Sequence, residues 1–325
     1  MLDFRIETFL NLCVTMNYTK TARELCITQP AVTQHIHYLE KYYGCRLFEY
    51  KNKTLKLTHQ GEILKKQAYL LEYHCRQIKE LLQTPPIQTL RIGATKTIGE
   101  FVIAPVISCF LKDHSECRIS LMVENTKILL KELDEGNLDF VLVEGFFDKQ
   151  EYGYRLIREE PFICVGNRKH AYGTCEDFKK DHFVKSLCSL EDLMKETLLV
   201  REEGSGTRAV MEQLLSAYNY SIASFSGVVE ISNFSVIKEL IRKDQGISFL
   251  YEAVVEKELK EGSVRKIDIR KPHGEQEEEL NLKREFNFVY RKDSHFTQKW
   301  EQFYEYVVAD TVETDESDRG EKQKG

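Results

Sequence analysis

Between Thr58 and Leu82 the chain contains no proline and a single glycine, Gly61, after which Pro85 and Pro86 follow in succession. A proline pushes the residue before it out of the α region, so Gln83-Thr84-Pro85-Pro86 ends any helix that reaches it. Inside the run, Leu64, Ala68, Leu71, Cys75, Ile78 and Leu82 alternate by four and three residues, which is the spacing of a heptad seam. A helix of about 24 residues cannot hide such a stripe against itself. The spacing predicts a linker helix that pairs with a second copy or, alternatively, lies on its own chain. It also divides the sequence: residues 1–58, then linker and hinge 59–86, then residues 87–310, and a polar tail 311–325 expected to be disordered.

A length of 325 residues suits two domains. The charge is split unevenly between them. Residues 1–86 hold 12 Lys and Arg against 8 Asp and Glu, a balance of +4, whereas residues 87–325 hold 34 against 44, a balance of −10. A basic N-terminal part on an acidic body is the pattern of a nucleic-acid-facing module joined to a globular one. With 42% hydrophobic and 30% charged residues, the composition excludes collagen-like and wholly disordered chains. No stretch approaches the ~18 uninterrupted apolar residues of a membrane span, and Met1 to Arg5 lacks a signal-peptide layout, so a cytoplasmic protein without membrane contact is expected. Nine cysteines with no C-x-x-C pair suggest neither a disulfide framework nor a zinc site. No metal or other cofactor is expected.

In the N-terminal part, Phe9, Leu10, Cys13 and Val14 mark an amphipathic helix, and Thr19 can cap a second through Leu25. A third begins at Thr28, a plausible N-cap, with Pro30 tolerated in the first turn. Val32, Ile36, Leu39 and Tyr43 form its buried stripe, leaving Gln29, Thr33, Gln34 and His37 opposite, groups of the size that read base edges in a major groove. The stretch from Tyr50 to Thr58 reads as a basic hairpin whose Lys51, Lys53 and Lys56 can neutralise phosphates. Charge and periodicity alone fit a solvated polar face equally well.

The run from Asn17 to Glu62 resembles the LysR-type transcriptional regulators: Thr21-Ala22 and Leu25, Thr28-Gln29-Pro30-Ala31-Val32-Thr33, Leu39-Glu40, Gly44, Leu47-Phe48 and Leu57-Thr58-x-x-Gly61. Positions 37, 38 and 50, where family members often carry Arg or Lys, hold His37, Tyr38 and Tyr50. The resemblance implies a winged helix-turn-helix in which Gln29, Pro30, Ala31, Thr33, Gln34 and His37 meet bases or adjacent backbone, and Lys51 and Lys53 meet phosphate. In that family the linker helix pairs two subunits.

Beyond Pro86, short apolar runs alternate with helical patterns, which predicts α/β structure with parallel strands. The layout occurs twice, at Leu90 to Val143 and at Thr197 to Leu250, each copy just over fifty residues. The turns Thr95-Lys96-Thr97 and Glu202 to Thr207 lie at strand C-termini and helix N-termini, where backbone N–H groups and the macrodipole favour an anion. Thr97 and Ser205 could instead serve only as N-caps, the role expected of Asn125 and Asn233. The duplication resembles type 2 periplasmic binding proteins, the architecture of the LysR effector domain. The implied fold class is an α/β effector domain of two lobes, preceded by an all-α winged helix-turn-helix domain and a long linker helix. Lobe I would comprise residues 87–161 and 266–310, and lobe II residues 162–265. The implied effector contacts are Thr95, Lys96, Thr97, Arg201, Gly204, Ser205, Gly206 and Thr207.

Catalysis finds little support: Gly204 to Arg208 lacks P-loop spacing, and no G-x-S-x-G or H-E-x-x-H occurs. The expectation is a regulator, not an enzyme, that binds double-stranded promoter DNA as a homodimer or dimer of dimers and answers to a small anionic effector, with RNA polymerase a further candidate partner. Two alternatives stay open: a thiol redox sensor on the same fold, using Cys109 and Cys117, and an anion-binding protein or enzyme without DNA function.

Overall fold

The computed structural model describes residues 2–82, 89–170, 187–271, 279–292 and 300–309. The expected helix break at Gln83 to Pro86 and the expected tail 311–325 lie outside them. The chain divides into two compact units, the first holding residues 1–91, 116–120 and 130–139, the second residues 92–115, 121–129 and those from Phe140 onward.

The first unit begins with α1 (Phe4–Thr15), α2 (Tyr18–Glu24) and α3 (Gln29–Tyr43), followed by the hairpin β1 (Phe48–Lys51) and β2 (Thr54–Leu57) and the linker helix α4 (His59–Leu81). Asp3 caps α1, Thr28 caps α3 by accepting from the Ala31 N–H, and Thr58 caps α4 by accepting from the Gly61 N–H. The cap of α2 is Asn17, not Thr19, because that helix already starts at Tyr18. Phe9, Leu12, Ile36, Leu39, Leu47, Leu55 and Ala68 make one core from the three helices, the hairpin and the start of α4. Val32, Ile36 and Leu39 are buried as the spacing predicts, but Tyr43 is exposed: it stands in the last turn of α3, immediately before the left-handed Gly44 cap turns the chain away. Gly61 is required sterically, since a Cβ there would sit 2.2 Å from the Leu47 carbonyl oxygen.

The heptad seam of α4 does not act as one stripe. Ala68 is fully buried in the core just described, whereas Leu71, Ile78 and Leu82 are exposed. Tyr73 and Gln77, on another face, are buried against Asp139, which accepts from the Tyr73 hydroxyl at 3.1 Å, from Gln77 Nε2 at 3.5 Å and from the Arg91 N–H at 2.8 Å.

After α4 come β3 (Thr89–Ala94), α5 (Lys96–Phe101), α6 (Ile103–Asp113), β4 (Arg118–Val123), α7 (Thr126–Asp134), β5 (Phe140–Glu144) and the long β6 (Tyr152–Asn167). They are followed by α8 (Leu190–Leu193), β7 (Thr197–Val200), α9 (Gly206–Ala217), β8 (Gly227–Glu230), α10 (Phe234–Arg242), β9 (Ser248–Tyr251), α11 (Glu252–Lys260), β10 (Val264–Ile267) and β11 (Lys283–Arg291). Residues 300–309 are helical.

Among the described residues the main sheet runs β10-β6-β11-β5-β3-β4, with β9 also paired to β6. β3 and β5 are parallel, Ile92 beside Phe140, while β11 is antiparallel to both β5 and β6. β7 pairs β8 in parallel, and a bridge from Leu198 to Ile247 joins β7 to the start of β9. The duplicated layout is therefore real, and β6 serves both copies: its N-terminal half pairs with β11, its C-terminal half with β9 and β10. Phe140, Phe288, Trp300 and Phe303 form a buried aromatic cluster under the first copy, with Phe140 and Phe288 rings 4.4 Å apart.

Candidate functional site

On the first unit, Gln29, Pro30, Gln34 and His37 are exposed along α3, and Ala31 and Thr33 are partly so. Gln29 Nε2 donates to Thr33 Oγ1 at 2.8 Å, which holds these two polar groups together on one face. His37 lies 3.6 Å from Glu40. Glu40 itself accepts from the Leu47 N–H at 2.9 Å and from Arg46 at 3.0 Å, so it ties the end of α3 to the chain entering the hairpin. The hairpin turns at Asn52 and Lys53, both with positive φ, as a two-residue turn matched to strand twist requires. Lys51 and Lys53 are exposed there. Arg5 pairs with Asp3 at 2.9 Å, and its guanidinium lies 4.0 Å from the Tyr38 ring centre.

In the second unit, the turns after β3 and β7 come together. Lys96 reaches Glu202 at 2.8 Å, and a Cβ added to Gly206 would lie 3.4 Å from the Glu144 carbonyl oxygen. Thr95, Thr97, Arg201, Ser205 and Thr207 are all buried. Thr95 and Ser205 occupy N-cap positions without a side-chain cap bond, and Thr97 lies inside α5, so these hydroxyls are not caps in the usual sense. Asn125 and Asn233 are, accepting from Ile128 and Val236 N–H groups.

The threonine hydroxyls go to a residue the sequence reading passed over. Glu144, at the C-terminal end of β5, is 3% exposed and accepts from Thr97 at 2.8 Å on one oxygen and from Thr95 at 3.0 Å on the other. Burial pushes its carboxyl up to about 7, against the two hydroxyl bonds and the charge of Arg201, which favour the ionised form. The detectable signal was an acid closing an otherwise apolar strand, Phe140-Val141-Leu142-Val143-Glu144, at the sheet end where α/β proteins take ligands.

Arg201 is 2% exposed, stacks 3.9 Å over the Phe234 ring centre and pairs with Glu202 through Nε at 2.8 Å and Nη2 at 3.0 Å. Burial alone would raise Glu202, but the bonds from Arg201 and Lys96 outweigh it and hold the carboxyl below its ordinary range. Arg208 is committed to Glu212 and Glu230, at 2.8 and 2.6 Å. Among the described residues, Arg201 Nη1, Thr207 Oγ1 and the Tyr251 hydroxyl are buried polar atoms with no hydrogen-bond partner. A separate cavity lined by Phe162, Cys164, Leu214, Phe249 and Ile267 shares no residue with these turns.

The thiols differ in accessibility. Cys109 is exposed and Cys117 buried, and burial pushes Cys13 up to about 12 and raises Cys164 as well. No helix among the described residues is long and apolar enough to cross a membrane.

Comparison with known proteins places both halves of the chain. Residues 5–62 match the bacterial regulatory helix-turn-helix protein model of the lysR family, and residues 83–311 match the LysR substrate binding domain. The HTH-type transcriptional regulator CysL of Bacillus subtilis is 27% identical over 257 residues, covering 78% of this chain and 82% of that protein. Full-length LysG of Corynebacterium glutamicum, solved with its effector arginine bound, has the same fold at a TM-score of 0.63 and 17% identity, covering 96% of this chain and 99% of that one. The regulatory domain of Synechocystis CcmR, solved in complex with 2-PG, matches at a TM-score of 0.57 and 20% identity over 68% of this chain and 96% of that one. A helix-turn-helix model followed by an effector-domain model, together spanning nearly the whole sequence, makes this chain a member of the LysR family of transcriptional regulators, with an effector-binding domain.

Proposed function

We propose that this regulator holds promoter DNA as a homodimer or dimer of dimers and changes its grip when a small anion occupies the space between the turns after β3 and β7. The domains are those read from the sequence, 1–58 for DNA, 59–86 for linker and hinge, and 87–310 for the effector. Gln29, Pro30, Ala31, Thr33, Gln34 and His37 face bases or adjacent backbone, and Lys51 and Lys53 face phosphates. Leu71, Ile78 and Leu82, exposed along α4, supply the apolar stripe for a second copy. The effector sits among Thr95, Lys96, Thr97, Arg201, Gly204, Ser205, Gly206 and Thr207. The observation that carries this reading is the pair of buried, unpartnered donors, Arg201 Nη1 and Thr207 Oγ1, beside the N-terminus of α9. Small effectors are named for the similar structures, arginine for LysG and 2-PG for CcmR. The effector acts by population shift, favouring whichever arrangement binds it better.

Footprinting upstream of the gene, with and without a panel of sulfate, phosphate, phosphorylated metabolites and carboxylates, tests both halves. One dyad-symmetric protected stretch that changes length with one anion is the expected result. Thr33→Ala with Gln34→Ala removes site preference but keeps salt-sensitive non-specific binding, whereas Thr97→Val keeps DNA binding and loses the effector response. The reverse pattern overturns the assignment of roles.

A further inference from the structure

An anion site between these turns, the reading on which this inference rests, contains a group that should spoil it. Glu144 lies in its wall with both carboxylate oxygens bonded by threonine hydroxyls. A hydroxyl has one proton to give, so Thr95 and Thr97 offer a ligand only lone pairs. The donors that remain belong to the other turn: Arg201 Nη1, Thr207 Oγ1 and the first backbone N–H groups of α9, which no residue of that helix can satisfy. Gly206, having no side chain, leaves Oε1 of Glu144 uncovered from the α9 side; a Cβ there would lie 4.0 Å from it.

The charges around Glu144 balance without a ligand. Lys96 and Arg201 share Glu202, which leaves one positive charge for the one carboxylate of Glu144. Glu160 and Tyr251 also face it, from β6 and β9, and neither supplies a cation; Glu160 is itself paired with Arg158 at 2.8 Å. Above neutral pH, where Glu144 is ionised, a fully deprotonated oxyanion would therefore set its lone pairs against those of a buried carboxylate, a contact of acceptor on acceptor with nothing to offset it.

We infer that Glu144 is a specificity-determining residue that selects an oxyanion still carrying an O–H, of the hydrogen phosphate type, and rejects proton-free oxyanions such as sulfate. The ligand O–H donates to Glu144 while its other oxygens accept from Arg201, Thr207 and the α9 N–H groups. One proton lies between two oxygens, and the pair of negative charges is never in bare contact. A site built to accept a ligand O–H discriminates strongly against the analogue without one, because its own buried acceptor is then left unmet.

The test is calorimetric titration of the full-length protein with inorganic phosphate and with sulfate at equal ionic strength and pH 8.5, where Glu144 is ionised and hydrogen phosphate keeps its O–H. Phosphate is expected to bind at least about tenfold more tightly than sulfate. In Glu144→Gln, whose carboxamide can donate to sulfate, the ratio should fall to within about threefold. Equal affinities in the wild type, tighter sulfate binding, or a preference that survives Glu144→Gln overturns the role of Glu144 and leaves the anion site standing. Failure of both anions to bind at about 10 mM removes the anion-site reading as well.

Discussion

Two acids flank strand β5, and both are buried: Asp139 before it, 7% exposed, and Glu144 at its end, 3% exposed. They are held by different means. Asp139 accepts from a backbone N–H, that of Arg91, with Tyr73 and Gln77 side chains of α4 added. Among the described residues, Glu144 accepts from two threonine hydroxyls at the start of α5. A backbone amide points where the strand puts it, so Asp139 fastens the linker helix to fixed structure. A hydroxyl rotates about its own bond, so Glu144 is held by side chains and not by the strand itself. Equal burial with unequal partners separates a carboxylate that holds the fold from one available for recognition.

Three substitutions sharpen or break that contrast, beginning with the largest effect. Asp139→Ala removes the acceptor common to Arg91, Tyr73 and Gln77 and should cost roughly 3 kcal/mol in chemical denaturation of the full-length protein, because buried donors lose a charged partner. A loss below about 1 kcal/mol, within the range of an ordinary point substitution, would mean Asp139 fastens nothing.

Glu144→Gln should act in the opposite direction and depend on pH. With its folded-state carboxyl pushed up to about 7 from an ordinary 4.5, Glu144 binds a proton more readily in the native than in the unfolded chain. Native stability therefore falls as pH rises from about 4.5 to 7 and stays low above that. The glutamine variant lacks this dependence. It should gain on the order of 2 kcal/mol over the wild type at pH 8 and nothing at pH 5, read from melting at both values. A gain that is the same at both pH values would show that Glu144 is not the titrating group.

The contrast also explains what the sequence disclosed. The stripe Val32, Ile36 and Leu39, the cap Thr28 and the duplicated strand-helix pattern are local, and local periodicity reads them directly. Tyr43 fails for a tertiary reason: it has the right period, but α3 ends before the core reaches it. The seam of α4 divides: Ala68 is buried in the core of its own chain, while Leu71, Ile78 and Leu82 stay exposed, a division that periodicity cannot name. At the effector turns, the residue types Thr95, Thr97 and Ser205 to Thr207 were legible from their place at helix starts. Their occupant was not, since Glu144 stands 49 and 47 residues from the hydroxyls that bind it.

The smallest effect is expected at Thr97. Thr97→Val keeps the volume of the buried side chain and removes the shorter of the two bonds to Glu144, 2.8 Å against 3.0 Å for Thr95. Above neutral pH the carboxylate is ionised and loses a donor, which should cost about 1 kcal/mol. Well below pH 4.5, where Glu144 is protonated in both states, its O–H can still bond Thr95, and the cost should shrink toward the few tenths expected of a near-isosteric change. The hydroxyl favours the ionised form, so its removal should also move the midpoint of the pH-dependent stability upward. A substitution at Asn125, whose side chain caps the Ile128 N–H, gives the control: Asn125→Ala should cost about 1 kcal/mol with no dependence on the protonation of Glu144. If Thr97→Val proved equally flat with pH, its hydroxyl would be a packing group and the distinction between the two ends of β5 would reduce to burial alone.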